Sequence, residues 1–268
     1  MLALAPKHIS RWWIGICVLS NLVAGCSNRS EPQGKPVVIL GAASTKDLLE
    51  EIAAVAQKSL EVPVEIELST GPSHALAQQI LSGAPADLYV SANRQWAAEI
   101  RDANRASQSV DWLTNSMVVV VPANSRLQIT RLEDLTSDEV QRIAIAGKNV
   151  PAGIYAQQSL SYYRLWEPLG AAGKIIRGHD VRSALAYAQR GEVDAAIVYA
   201  TDARLTDQVR VVFRLDPVSH AAIVYPLVKL RSDSNAANQV YQFFLGNEAR
   251  QIAENFGFQR LEPGKAKE

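Results

Sequence analysis

An α/β fold of two lobes with a ligand cleft between them is what this sequence predicts. Three observations carry that reading. Short apolar runs alternate with segments of helical spacing from Pro36 onward. The alternation comes as two separate units joined by extended strands. Serines, glycines and prolines gather where each strand hands over to a helix, and in open α/β sheets ligands bind beyond such strand ends.

The elements follow in order. Val37 to Leu40 reads as a strand, and Leu48, Ile52 and Val55 mark a helix. Val62 to Leu68 alternates as a second strand. Leu76 and Ile80 mark a second helix, stopped by Gly83, and Leu88 to Val90 is a third strand. A βαβαβ rhythm implies a sheet that is mainly parallel. Met117 to Val121 is an apolar strand ended by Pro122. Then come a strand at Ile143 to Ile145, helices over Gly153–Leu165 and Val181–Arg190, and a strand over Ala195–Tyr199. Ile223 to Leu230 is a further strand. Ala236 to Phe256 reads as one long helix stopped by Gly257. The boundaries expected are 36–117 with 223–268 for lobe 1, and 118–222 for lobe 2.

The N-terminus reads as a targeting segment. Lys7 and Arg11 precede an apolar run from Trp12 to Leu19, far short of the ~20 residues that span a bilayer. The run leads to Leu22-Val23-Ala24-Gly25-Cys26, which resembles a bacterial lipobox. Residues 1–25 are then a lipoprotein signal peptide, Cys26 carries the lipid, and polar residues 26–35 form a tether. Cys17 lies in the removed part, so the mature chain forms no internal disulfide. Basic and acidic residues number 27 each. Loss of Lys7 and Arg11 leaves a slight acidic surplus, which gives nucleic acid no basic surface to bind.

Four turns could hold an anion. Ser44 opens the first helix, and Ser44-Thr45-Lys46-Asp47 also fits a capping box with Asp47 reaching back. Ser73 follows Gly71-Pro72 at the second helix, where Ser69 and Thr70 compete for the same role. Val150-Pro151-Ala152-Gly153 opens a third helix with no bulk to block an ion. Asp180-Val181 opens a fourth, with Asp180 as N-cap. Each position reads equally as an ordinary helix cap. Each also leaves amide donors unpaired at the positive end of a helix dipole. Tyr199, at the end of its strand, offers one hydroxyl. Neutral donors of this kind suit a fully deprotonated oxyanion.

The resemblance that binds these turns together is to the bacterial molybdate-binding proteins, the capture subunits of molybdate ABC importers. Ser82-Gly83-Ala84-Pro85-Ala86-Asp87-Leu88-Tyr89-Val90-Ser91-Ala92 closely resembles a segment of that family. So do Gly41-Ala42-Ala43-Ser44, Asn115-Ser116, Val150 to Ala156, Asp180-Val181-Arg182, Gly191 to Tyr199, Ser219-His220 and Tyr225-Pro226. The resemblance implies a two-lobed periplasmic binding protein of type II, each lobe a mixed, mainly parallel sheet flanked by helices. It implies ligand donors at Ser44, Ser73, Ala152, Val181 and Tyr199. The ligand would be molybdate or tungstate, with no cofactor, no cationic metal site and no catalytic residue. The partners would be an ABC permease and its ATPase, and the protein a lipid-anchored monomer in the periplasm or at the cell surface. The sequence departs from the family at Ala146-Gly147-Lys148-Asn149, which would bring Lys148 near the cleft, and at Gly71-Pro72.

Two other readings stay open. One is capture of sulfate, phosphate or another oxyanion. The other is a serine hydrolase with Ser44 as nucleophile and His74, His179 or His220 as base, although no Gly-x-Ser-x-Gly elbow is present.

Overall fold

The computed structural model describes residues 34–261. The leader over 1–25, the lipid-bearing Cys26, most of the 26–35 tether and residues 262–268 lie outside the described residues.

The first lobe opens with β1 (Val37–Ala42), α1 (Lys46–Ser59), β2 (Ile66–Gly71), α2 (Ser73–Leu81), β3 (Leu88–Val90), α3 (Arg94–Asp102) and β4 (Ala106–Thr114). The chain then crosses into β5 (Met117–Pro122), β6 (Ile143–Ala146), α4 (Pro151–Tyr162), α5 (Trp166–Ala171), β7 (Ile175–Gly178), α6 (Val181–Gln189), β8 (Ala195–Tyr199), α7 (Ala200–Ala203) and β9 (Val209–Arg214). It returns through β10 (Val224–Leu230), α8 (Asn235–Leu245), α9 (Asn247–Asn255) and β11 (Gln259–Arg260).

Two sheets result. The first runs β11-β4-β10-β3-β1-β2 and the second β7-β6-β8-β5-β9. β1 pairs in parallel with β2 and β3, and β6 with β7 and β8. The other pairings are antiparallel. Both sheets are therefore mixed, with less parallel pairing than the βαβ rhythm implied. The reason is the crossing: β5 and β10 enter their sheets straight from the other lobe and run against their neighbours. The second sheet begins at Met117, which pairs with Tyr199, one residue ahead of the boundary expected from the sequence.

Several element bounds differ from expectation for local reasons. β2 begins at Ile66, past Pro63, which has no N–H for a ladder. The helix expected over 153–165 starts earlier, at Pro151. It stops at Tyr162 because Arg164 turns to a left-handed φ of 59°, and α5 follows. The long C-terminal helix is two, broken at Gly246, whose backbone is extended.

The cores are apolar faces closed over each sheet. Ile39, Leu88 and Val90 of the first sheet pack with Leu48, Leu49 and Ile52 of α1, all buried. Gly41 lets α1 close on β1, since a Cβ there would overlap the Leu49 side chain. In the second sheet the runs Val118–Val121, Ile143–Ala146 and Ala195–Val198 are wholly buried. Each such Val, Ile or Leu contributes about 1.5–3 kcal/mol relative to exposure.

Candidate functional site

The site is built from four helix N-termini and one strand end. After β1 the chain tightens into a 3-10 turn over Ala43–Thr45, which buries Ser44. The Ser44 hydroxyl lies 3.1 Å from the Tyr225 hydroxyl. It caps nothing: the N-cap of α1 is Thr45, whose own hydroxyl donates back to Ala42 O at 2.7 Å. The capping box expected over Ser44–Asp47 is thus not formed. The 3-10 turn moves Ser44 off the cap position, and the Asp47 carboxylate takes a charged partner instead, Arg182 Nη2 at 2.5 Å.

Ser73 is the first residue of α2, behind the extended Pro72 cap. Its hydroxyl oxygen accepts from Ala92 N at 3.0 Å. An amide only donates, so the Ser73 proton is left for an acceptor elsewhere. Ser69 is exposed and Thr70 half-buried, and neither lines the site.

Pro151 opens α4, and the first intrahelical bond is Ile154 N to Val150 O at 2.9 Å. The Ala152 and Gly153 amides precede it and have no helical acceptor. Gly153 sits against the end of β6: a Cβ there would fall inside the Gly147 and Ala146 carbonyl oxygens. At α6, Asp180 is the N-cap, as its place in the sequence implies. Its carboxylate accepts from Ser183 N and Ser183 Oγ, both at 2.8 Å. The Val181 amide stands ahead of the first helical bond, which Ala184 N makes to Asp180 O at 3.2 Å.

Tyr199 ends β8 wholly buried, and its hydroxyl has no hydrogen-bond partner among the described residues. Burial pushes its phenol well above the ordinary range, so it stays a proton donor. An unpaired buried hydroxyl costs about 1–3 kcal/mol.

Ser44, Ser73, Ala152, Val181 and Tyr199 line one cavity, closed in by Pro72 and Pro151. Its volume is ≈ 10 Å³. That is room for something compact, far below the roughly 300–1,000 Å³ of pockets for larger organic ligands. The one carboxylate on the lining is Asp180, already engaged by Ser183. Lys148 is exposed and does not line the cavity, contrary to expectation. The site therefore presents donors and helix dipoles without a cationic side chain.

Charge lies one layer out. Arg182 reaches Asp47 on one side and, at 2.6 Å from Nε, buried Asp202 on the other. The Arg182–Asp202 contact is close but off the hydrogen-bonding axis. Burial pushes the Asp202 carboxyl up to about 7, and Arg182 pulls against that rise. His74, beside Ser73, is held below its ordinary value by burial and then by His179.

Sequence reasoning named the cavity residues but missed this second layer. Asn115 and Tyr225 stood in matched motifs without a role. In the fold Asn115 Nδ2 donates to Thr201 Oγ1 at 2.8 Å and to the Tyr225 hydroxyl at 3.3 Å.

Comparison with known proteins shows the family. A family model described as "Bacterial extracellular solute-binding protein" matches residues 37–259. A Bacillus subtilis (strain 168) protein named as an ABC transporter substrate-binding lipoprotein, YvgL, is 36% identical over 88% of this chain and 93% of its own. The molybdate-binding protein ModA of Escherichia coli (strain K12) is 32% identical over 93% of this chain and 99% of its own. The Azotobacter vinelandii periplasmic molybdate-binding protein shares the fold, with a TM-score of 0.75 at 20% identity over 85% of this chain and 99% of that one. The chain belongs to the bacterial extracellular solute-binding proteins of ABC-type importers, among which it is a homologue of the molybdate-binding proteins.

Proposed function

We propose that this protein captures molybdate, and tungstate with it, outside the cytoplasm and delivers the ion to an ABC permease driven by its ATPase. The observation that carries this reading is the single small cavity on which Ser44, Ser73, Ala152, Val181 and Tyr199 converge, with donors and no cationic side chain. A tetrahedral dianion fits such a lining through oriented dipoles, because four helix N-termini supply partial positive charge and the one carboxylate there, Asp180, is turned to Ser183. Ser44 and Ser73 would give hydroxyl and amide donors, Ala152 and Val181 their amides, and Tyr199 its unpaired hydroxyl. Closure of the two lobes would seal the ion from water and mark the loaded form for the permease.

No bond is made or broken in this reading. A hydrolase would need a base at Ser44, and the hydroxyl meets Tyr225 instead. Cys26 would carry lipid and hold the monomer at a membrane. Mass spectrometry of the membrane-extracted protein tests that: an unmodified N-terminus at or before residue 25 would overturn it.

Calorimetric titration of the mature domain with molybdate, tungstate, sulfate and phosphate tests the ligand. Tight binding of molybdate and tungstate, with sulfate and phosphate weak, is the expected result. Sulfate or phosphate binding without molybdate would replace the ligand while keeping the capture role. Silence from all four would overturn the oxyanion reading.

A further inference from the structure

The second layer behind Ser44 has a fixed direction. Asn115 Oδ1 accepts from Ser116 N at 2.9 Å, and an amide N–H cannot accept in return, so the carboxamide oxygen faces Ser116. The amide nitrogen of Asn115 then has two protons to place. One goes to Thr201 Oγ1 at 2.8 Å and the other to the Tyr225 oxygen at 3.3 Å. Tyr225 is wholly buried and has a single proton of its own. With its oxygen already accepting from Asn115, that proton goes to Ser44 Oγ, 3.1 Å away, because the Tyr199 hydroxyl, on the neighbouring ring, forms no hydrogen bond with it. Ser44 in turn makes no other hydrogen bond through its side chain, so its own proton is left to face the cavity.

We propose that Asn115 and Tyr225 act as positioning residues that set the polarity of Ser44, making its hydroxyl a donor, and not an acceptor, toward the ligand. This rests on the oxyanion reading and adds to it the residues that enforce selection by protonation state. Ser73 reaches the same condition through the Ala92 amide, which no side-chain change can remove. Ser44 reaches it through a removable relay. An anion that carries a proton, such as dihydrogen phosphate, would meet serine protons aimed at its own and serine oxygens that each already accept one bond from within. Molybdate and sulfate carry no proton near neutral pH and would find every hydroxyl aimed at them. Thr201 belongs to the second lobe, so the amide that starts the relay is also held from across the crossing.

The test is titration of wild type and Tyr225→Phe with sodium molybdate and with sodium phosphate, at pH 6 and pH 8. Phenylalanine keeps the ring and removes the relay hydroxyl. Ser44 then has a vacant lone pair and a proton free to wander. Molybdate binding is expected to weaken about tenfold, the worth of one oriented hydrogen bond in this setting. The molybdate-to-phosphate ratio at pH 6 is expected to narrow more than at pH 8, because dihydrogen phosphate brings two protons to the vacancy and hydrogen phosphate only one. A structural defect alone would weaken both anions equally at both pH values. Asn115→Asp is the second variant: its carboxylate accepts from Tyr225, reverses the relay and turns the Ser44 proton away from the cavity. Melting curves without ligand establish that each variant is folded. A wild type that binds no anion overturns the oxyanion reading itself. A wild type that binds, beside folded variants with its affinity and its anion ratio at both pH values, overturns the relay alone.

Discussion

Arg182 of the second lobe meets Asp47 of the first at 2.5 Å, tying α6 to the first turn of α1 across the cleft. Tyr155 makes a second tie, donating to Ala92 O at 3.3 Å. Both contacts join the lobes, so if closure holds the ligand, whatever strengthens them should strengthen binding. Both side chains of the ion pair keep partial contact with solvent, which limits its worth. Asp47→Ala is expected to weaken anion affinity about two- to fivefold, equivalent to ~0.4–1 kcal/mol. The loss should shrink in 1 M salt, where exposed charges are screened. Equal affinity for variant and wild type at low salt would show that the pair does not bias closure.

Ser44→Ala separates a ligand donor from a helix cap. The Ser44 side chain caps nothing in the fold. Affinity for the bound oxyanion is therefore expected to fall by about 1.5–3 kcal/mol, the range for hydrogen bonds to a charged group. The melting temperature without ligand should move little. A large drop in melting temperature with intact affinity would return Ser44 to a structural role.

Much of this was readable from the sequence, and the limit is physical. α1, α2 and α6 declared themselves because Leu48, Ile52, Leu76, Ile80, Val181 and Leu185 recur at helical spacing toward one core. β4 did not, since Ser107, Gln108, Ser109 and Asp111 interrupt it. That strand faces solvent over much of its length. β7 has only four residues, and β9 is half-exposed. The cavity residues stood at local strand-to-helix turns, where sequence order and spatial order agree. Asn115 and Tyr225 are 110 residues apart and meet only through the crossing between lobes, so no local spacing could announce them.

Tyr199→Phe should dissociate stability from binding. The hydroxyl it removes has no partner among the described residues. The protein without ligand is expected to keep or slightly raise its melting temperature, since a buried unpaired group is lost. If molybdate is the ligand, saturating molybdate should raise the melting temperature of the variant less than that of the wild type. A fall in ligand-free stability of more than about 1 kcal/mol would mean that the hydroxyl has a partner of its own, such as an ordered water.

Gly153→Ala tests the seat of α4. The added methyl would meet the backbone oxygens of Ala146 and Gly147, which cannot swing aside as a side chain can. A loss of about 1–3 kcal/mol in stability is expected, as for overpacking elsewhere. Anion affinity should fall with it, because the Ala152 amide rides on the displaced turn. Wild-type affinity in the variant would remove that turn from the binding site.

Asp202 should leave a mark on the pH dependence of stability. Burial raises its carboxyl to about 7 in the folded protein, against 3.8 for the ordinary group. Between those values the folded state holds a proton that the unfolded state has released. Stability from this group is therefore full below about pH 4 and is lost as pH rises through about 7. His74 is shifted the other way and opposes it at lower pH. The measurement is the difference between wild type and Asp202→Asn in chemical denaturation from pH 5 to pH 8. The wild type should lose stability with rising pH relative to the variant. Parallel curves would mean that Asp202 stays ionised throughout, held by Arg182.

The crossing between lobes has one more consequence. Thr114 and Val224 pair directly, and the Thr114 hydroxyl donates to Ile223 O at 2.6 Å. Topologically the molecule is a host with a guest: everything between those residues enters and leaves the first sheet through one doorway. A tight turn from Thr114 to Val224 would close the host without disturbing a strand, and the guest would have adjoining ends of its own. Made separately and mixed, the two pieces would meet through the cavity, through Asn115 and Tyr225 behind it and through the Arg182–Asp47 pair. A ligand that bridges them would favour their assembly, and a gel-filtration column would read it as a change in size.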